Sequence, residues 1–164
     1  MRGNRGTNHS EVRSRGVAIT KKRMGEPWMP ADDYGRRLPG FTVNLLVRDL
    51  ARSVAFYTGV MGAKSHYRDA DFAAMELAGI EFMLHADHTY DQHPLAPRLA
   101  AAAPRGTGAE LRLFGVDPDA LEARAQANGA TVVQAVTDKP HGWREVMVAD
   151  PDGYVWAVGV PLPK

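Results

Sequence analysis

One succession of elements occurs twice in this chain, and that repeat restricts the fold more than any single residue does. Phe41, Val43, Leu45 and Val47 alternate with Thr42, Asn44 and Leu46, the period of a strand with one face covered. Asp49 then offers a helix N-cap, and Val54, Phe56, Tyr57 and Val60 form an apolar stripe that ends before Gly62. Three short strands are predicted next: Ala63 to Arg68, Phe72 to Leu77 and Ile80 to His85, broken at Asp69-Ala70-Asp71 and Ala78-Gly79. The same order returns later. A strand from Ala109 to Phe114 leads through Asp117-Pro118-Asp119 into a helix from Ala120 to Asn128, followed by a strand from Thr131 to Val136 and a hairpin. In the hairpin, Val146 to Ala149 and Tyr154 to Val158 flank Asp150-Pro151-Asp152-Gly153, where proline fixes φ and glycine supplies a positive one. Gly62-Ala63 and Gly129-Ala130 hold the same place in each half, so the chain reads as two β-α-β-β-β units.

Between the two copies the β-character lapses. Residues 87–94 read as a polar loop, and Leu95 to Ala103 is alanine-rich enough for a short helix bounded by Pro104. With 164 residues, 45% of them apolar, the chain buries one core, and residues 39–164 are expected to form a single domain. Residues 1–38 are set apart by charge: nine Lys and Arg against four acids, whereas the remainder carries eleven against fifteen. This basic extension reads as a flexible arm, although Trp28, Met29, Tyr34 and Leu38 could pack it onto the domain. No aromatic is interleaved among the cations of its first two dozen residues, which argues against nucleic acid as a partner.

The chain has no cysteine, which excludes a disulfide framework, a zinc-thiolate site and a cysteine nucleophile, and is compatible with a reducing cytoplasm. No apolar run is long enough to span a bilayer, so no membrane association is expected. There is also no nucleophile elbow and no phosphate-cradling glycine loop. Asp117 and Asp119 are a carboxylate pair, but with Pro118 between them at a helix start they read as a cap before an acid/base dyad.

Several fragments, in this order and spacing, resemble the vicinal oxygen chelate superfamily of glyoxalases, extradiol dioxygenases and bleomycin-resistance proteins. They are Val47-Arg48-Asp49-Leu50 with Ser53, Phe56, Tyr57 and Gly62, then Glu110-Leu111 before Asp117 to Leu121, and Gly142-Trp143-Arg144-Glu145 before Asp150 to Gly153. The resemblance implies an α+β fold in which two paired β-α-β-β-β modules form a curved, cavity-enclosing mixed sheet with helices outside, commonly completed in a homodimer. It also implies where a metal would sit. The four ligand positions of the metal-dependent members fall on Thr42, Met83, Glu110 and Ala157, and Thr42 and Ala157 are not credible ligands for a divalent ion. The expectation is therefore no metal and no cofactor. A displaced set of Glu81, His85 and Glu110, serving a glyoxalase-like lyase or a dioxygenase, is the alternative.

The residues expected to bind a small-molecule ligand are Asn44, Met83, His85, Glu110, Arg112, Trp143 and Arg144. Asn44 offers a neutral hydrogen-bonding group, or else one that stitches the interior. Glu110 and Arg112 share a strand face, as ligand contacts or as an ion pair. Trp143 and Arg144 combine a flat ring with a planar cation at the expected cavity mouth. His88 and His93 read as solvated or capping residues, and Phe56, Tyr57, Trp156 and Val158 as core. The reading that follows is a non-catalytic binder that sequesters its ligand, since sequestration needs affinity and no acid/base apparatus.

Overall fold

The computed structural model describes residues 20–164. Its elements are a helix α1 (Ala31–Arg37), strand β1 (Asn44–Val47), helix α2 (Leu50–Gly59), strands β2 (Lys64–Arg68), β3 (Phe72–Leu77) and β4 (Ile80–Ala86), and a 3-10 turn, Asp87–Tyr90. After a single helical turn, α3 (Ala96–Leu99), follow β5 (Glu110–Phe114), helix α4 (Pro118–Ala127), β6 (Thr131–Lys139), β7 (Trp143–Ala149) and β8 (Val155–Pro161).

The repeat is present as two four-stranded mixed sheets of the same topology, ordered β1-β4-β3-β2 and β5-β8-β7-β6. In each, the first strand runs parallel to the fourth and the remaining pairs are antiparallel. Both repeat helices start on an aspartate. The Asp49 carboxylate accepts from the Arg52 N–H at 3.0 Å, and that of Asp117 from the Asp119 N–H at 2.9 Å, each answering an otherwise orphaned donor.

Each sheet has one face under a helix. Leu45, Val47, Ala73, Met75, Phe82 and Leu84 meet Val54 and Tyr57 of α2, while Leu113, Val146, Val148 and Val158 meet Leu121 and Ala125 of α4, and all belong to one buried cluster. Tyr57 ties the halves together: its hydroxyl donates to Asp150 Oδ2 at 3.0 Å and accepts from Trp156 Nε1 at 3.2 Å. Asp150 Oδ1 accepts three backbone N–H groups of its own turn, from Asp152, Gly153 and Tyr154. Gly153 sits at φ 101° with a Cβ position only 2.8 Å from Pro104 Cβ, so this turn admits glycine alone. By strand alternation the opposite faces carry Thr42, Asn44, Met83 and His85 in the first sheet and Glu110, Arg112, Phe114 and Ala157 in the second.

Four parts of the chain depart from the sequence reading. The first strand begins at Asn44 and leaves Phe41 81% exposed. The helix expected over Leu95 to Ala103 is one turn only. Pro97 suits its start, but Arg48 then takes the carbonyls of Ala101 and Ala103, both at 2.9 Å, and Arg105 that of Leu99, which draws the chain out of helical geometry. β6 runs on to Lys139, and β7 already starts at Trp143, because the hairpin between them turns at Gly142, φ 88°.

The fourth departure is the arm. Residues 1–19 lie outside the described residues, but residues 20–38, placed in the flexible extension by composition, lie as a strap across the open face of the first sheet. Trp28 stacks on Tyr67 with ring centroids 5.3 Å apart and planes 14° from parallel, and Tyr34 meets Phe72 edge-on at 5.2 Å. Arg37 closes the far end, 5.3 Å above the Trp28 ring and 3.3 Å from Glu81. These four aromatics remove enough apolar surface from water to hold a segment that its charge would otherwise leave solvated.

Candidate functional site in the strap-covered cavity

Under the strap is a cavity of about 430 Å³. Trp28 and Tyr34 line it from the strap, and Tyr67, Phe72, Met83 and His85 from the outer face of the first sheet. Alternation along β3 and β4 puts Phe72, Met83 and His85 on that face, with Phe72 directly opposite His85 in the ladder. The volume lies within the range of small-molecule sites.

His85 is held by side chains on both flanks. Its Nδ1 is 2.8 Å from Asn44 Oδ1, and Asn44 Nδ2 donates to the Tyr90 hydroxyl at 2.7 Å. The Phe72 and Tyr90 rings pack on it at 4.8 and 5.6 Å. Burial disfavours the imidazolium and lowers the His85 pKa from 6.5 to about 4, so the ring is neutral at physiological pH. A neutral imidazole whose Nδ1–H donates to Asn44 presents its other nitrogen as a lone pair.

One end of the cavity is polar and anchors the strap. Asp71 is 3% exposed and its Oδ1 accepts the Lys22 N–H at 2.7 Å while lying 2.7 Å from His88 Nε2. Arg23 Nη1 stands 3.9 Å from the other carboxylate oxygen. Burial by itself raises the Asp71 pKa, but the bonds from His88 and from the strap's backbone outweigh it and the net shift is downward. Asp69 is occupied nearby, accepting from the Tyr67 hydroxyl at 2.8 Å and from the N–H groups of Asp71 and Phe72.

The sequence-predicted residues divide into two groups. Met83 and His85 line the strap-covered cavity, and Asn44, outside its lining, is hydrogen-bonded to His85. Glu110, Arg112 and Trp143 lie on the outer face of the second sheet. There Arg112 donates to Glu110 at 2.6 Å and also to Glu145, its guanidinium stands 5.5 Å from the Phe114 ring, and Phe114 packs on Trp143 at 4.9 Å. Arg144 points the other way. As the next residue of a strand it faces α4, donating to both oxygens of Asp119 at 2.7 and 2.8 Å and to Asp138 at 2.7 Å. It is fully engaged in pinning the start of α4 to the sheet.

The alternative metal set does not assemble. Glu81 is paired with Arg37, His85 with Asn44, and Glu110 with Arg112 on the other sheet. Among the described residues no group of three His, Cys, Asp or Glu side chains is arranged to hold a metal ion. The usual positions fit a metal no better: the Thr42 hydroxyl donates to the Glu81 carbonyl at 2.8 Å, and Ala157 brings a methyl group.

A larger hollow of about 670 Å³ lies where the two sheets meet, lined by Phe41, Ile80, Leu111 and Trp156 with Arg37, Glu81 and Arg112. Its charged groups pair within the chain, Arg37 with Glu81 and Arg112 with Glu110 and Glu145, leaving mainly apolar surface and one carboxylate oxygen, Glu81 Oε1, without a partner. The functional residues absent from the sequence reading are therefore those of the strap and its seat: Arg23, Asp71, Tyr67, Phe72 and Tyr90. Trp28 and Tyr34, large aromatics in an otherwise polar arm, were the available signal.

No helix among the described residues is long and apolar enough to cross a membrane. Comparison with known proteins locates the fold. A structure of a glyoxalase/bleomycin resistance protein/dioxygenase family enzyme from Burkholderia phytofirmans PsJN superposes with a TM-score of 0.62 at 24% identity, covering 74% of this chain and 97% of that one. A glyoxalase/bleomycin resistance protein/dioxygenase from Nocardioides gives 0.61 at 25% identity, over 80% and 92%. An uncharacterised protein of Mycobacterium bovis is 32% identical over 130 residues, 76% of this chain and 84% of its own length. Residues 41–158 match the model of the glyoxalase/bleomycin resistance protein/dioxygenase superfamily, and with most of the chain inside that match, the protein belongs to this superfamily.

Proposed function

We propose that this protein binds a planar small molecule in the cavity beneath residues 20–38 and sequesters it without a catalytic metal. The observation that carries the reading is the composition of that cavity: aromatic walls from Trp28, Tyr34, Tyr67 and Phe72 around one neutral, rigidly held imidazole. Apolar walls with few orienting polar groups are what small-molecule sites require. Chemistry on the guest would need a base near neutral pH or an activated nucleophile, and an imidazole with its pKa near 4 is a poor base. The superfamily is named for bleomycin resistance proteins beside glyoxalases and dioxygenases, so ligand binding of this kind is within the range its name covers. The reading includes a cytoplasmic location, with which the absence of cysteine is consistent, and a homodimer. The dimer is supported by the outer face of the second sheet, where Phe114 is left 54% exposed beside Trp143.

Thermal denaturation of the full chain against planar aromatics and divalent metals tests the proposal. Aromatics should raise the apparent stability by about 2.7 kcal/mol at a hundredfold excess over Kd, and metals should not. A shift with metals and none with aromatics would overturn it.

A further inference from the structure

Trp28, Tyr34, Tyr67, Phe72 and Met83 supply the rings and the thioether of the strap-covered cavity, and His85 stands among them. The ionised lining groups are two cations, Lys21 and Arg23, and two acids, Asp69 and Asp71, so they balance, and the acids are answered within the chain: Asp71 by His88 and the Lys22 N–H, Asp69 by the Tyr67 hydroxyl and two backbone N–H groups. An ion lying against the rings would leave water without gaining a counter-charge, so this part of the cavity selects for a neutral guest.

The state of His85 then specifies what the guest must carry. In this structure Asn44 Nδ2 donates to Tyr90 and Oδ1 faces His85 at 2.8 Å, an arrangement that assigns the ring proton to Nδ1. Nε2 is the nitrogen left for the cavity, and it makes no hydrogen bond among the described residues. A lone pair in such surroundings favours a donor and gives nothing to an acceptor. Phe72 and Tyr90 pack on the imidazole at 4.8 and 5.6 Å, and with Asn44 they hold the ring in this position.

We propose that the ligand is an uncharged aromatic bearing a ring O–H or N–H, a phenol or an indole, which donates to His85 Nε2 while its ring lies among Trp28, Tyr34 and Phe72. This rests on the reading that the cavity is a small-molecule site and names the class it takes. The strap lies outside residues 41–158, so Trp28 and Tyr34, half of the aromatic wall, come from outside the part that matches the superfamily model.

Matched pairs of probes test it on the full chain. Binding of phenol against anisole, and of indole against N-methylindole, is measured by calorimetric titration to wild type and to His85→Leu, with circular dichroism confirming that the variant is folded. The donor-bearing member of each pair should bind wild type at least tenfold more tightly, and His85→Leu should bind both members alike. Equal affinity of wild type for methylated and unmethylated probes, or a preference that survives in His85→Leu, would overturn the assignment while leaving the cavity as a binding site. If no member of either pair binds, the reading of the cavity itself fails. Should His85→Leu not fold, His85→Gln replaces it and is expected to reduce the preference, because its amide is no longer held by Asn44 as the imidazole is. An unchanged preference in that variant would count against the role of Nε2.

Discussion

His85 concentrates several constraints in one side chain. Its pKa in the folded protein is depressed by burial to about 4 from 6.5, so between those values the unfolded chain binds the proton that the native state refuses. Stability is therefore fully present above about pH 6.5 and is lost as pH falls toward 4, by up to about 3 kcal/mol. Asp71 adds to the same trend at lower pH: its pKa is below the usual carboxylate value, so its contribution is present above that value and lost as pH falls through the folded one. Urea unfolding of wild type and His85→Gln at pH 7.5 and pH 5 isolates the histidine. The variant should lose most of the difference between the two pH values, and an unchanged difference would show that His85 titrates normally. Asn44 and His85 were recognisable in the sequence because strand alternation put them on the face opposite the core. Tyr90, which completes their hydrogen-bonded chain, lies in a polar loop with no periodicity to reveal its neighbour.

At the scale of elements, local pattern was a good guide wherever the forces are local. Asp49 and Asp117 cap their helices as their positions suggest, and β3 spans Phe72–Leu77 as its alternation and flanking turns predict. The strap was legible only in part: Trp28, Met29, Tyr34 and Leu38 marked it as able to pack on the domain, but its seat is distant in sequence, with Trp28 on Tyr67, and Lys22 and Arg23 on Asp71. Arg144 was misplaced for a related reason. With the strand taken to start at Val146, nothing assigned opposite faces to Trp143 and Arg144, whereas β7 begins at Trp143 and alternation separates them. Since aromatic packing holds the strap, Trp28→Ala should weaken it by about 1 to 3 kcal/mol without unfolding the domain. Hydrogen exchange is the measurement. Amides of residues 20–38 should exchange roughly ten- to a hundredfold faster while those of β3 and β7 keep their protection. Loss of protection in β3 and β7 to the same extent would mean that Trp28 belongs to the domain core.

The whole molecule treats the outer faces of its two sheets differently. Residues 20–38 cover the first. The second carries Glu110, Arg112, Phe114 and Trp143 with no comparable cover among the described residues. On the homodimer reading a second copy shields it, so light scattering at micromolar concentration should give twice the chain mass, and Phe114→Glu should shift the equilibrium to monomer. A wild-type monomer would contradict that part of the proposal. The central claim concerns the first face, and nuclear magnetic resonance of the full chain titrated with indole tests it most directly. The account predicts that the largest shifts fall on Trp28, Tyr67, Phe72, the Met83 methyl group and the His85 ring, with Trp143 and Phe114 unmoved. Shifts centred on Phe114 and Trp143, or on Phe41 and Ile80 at the seam between the sheets, would contradict it.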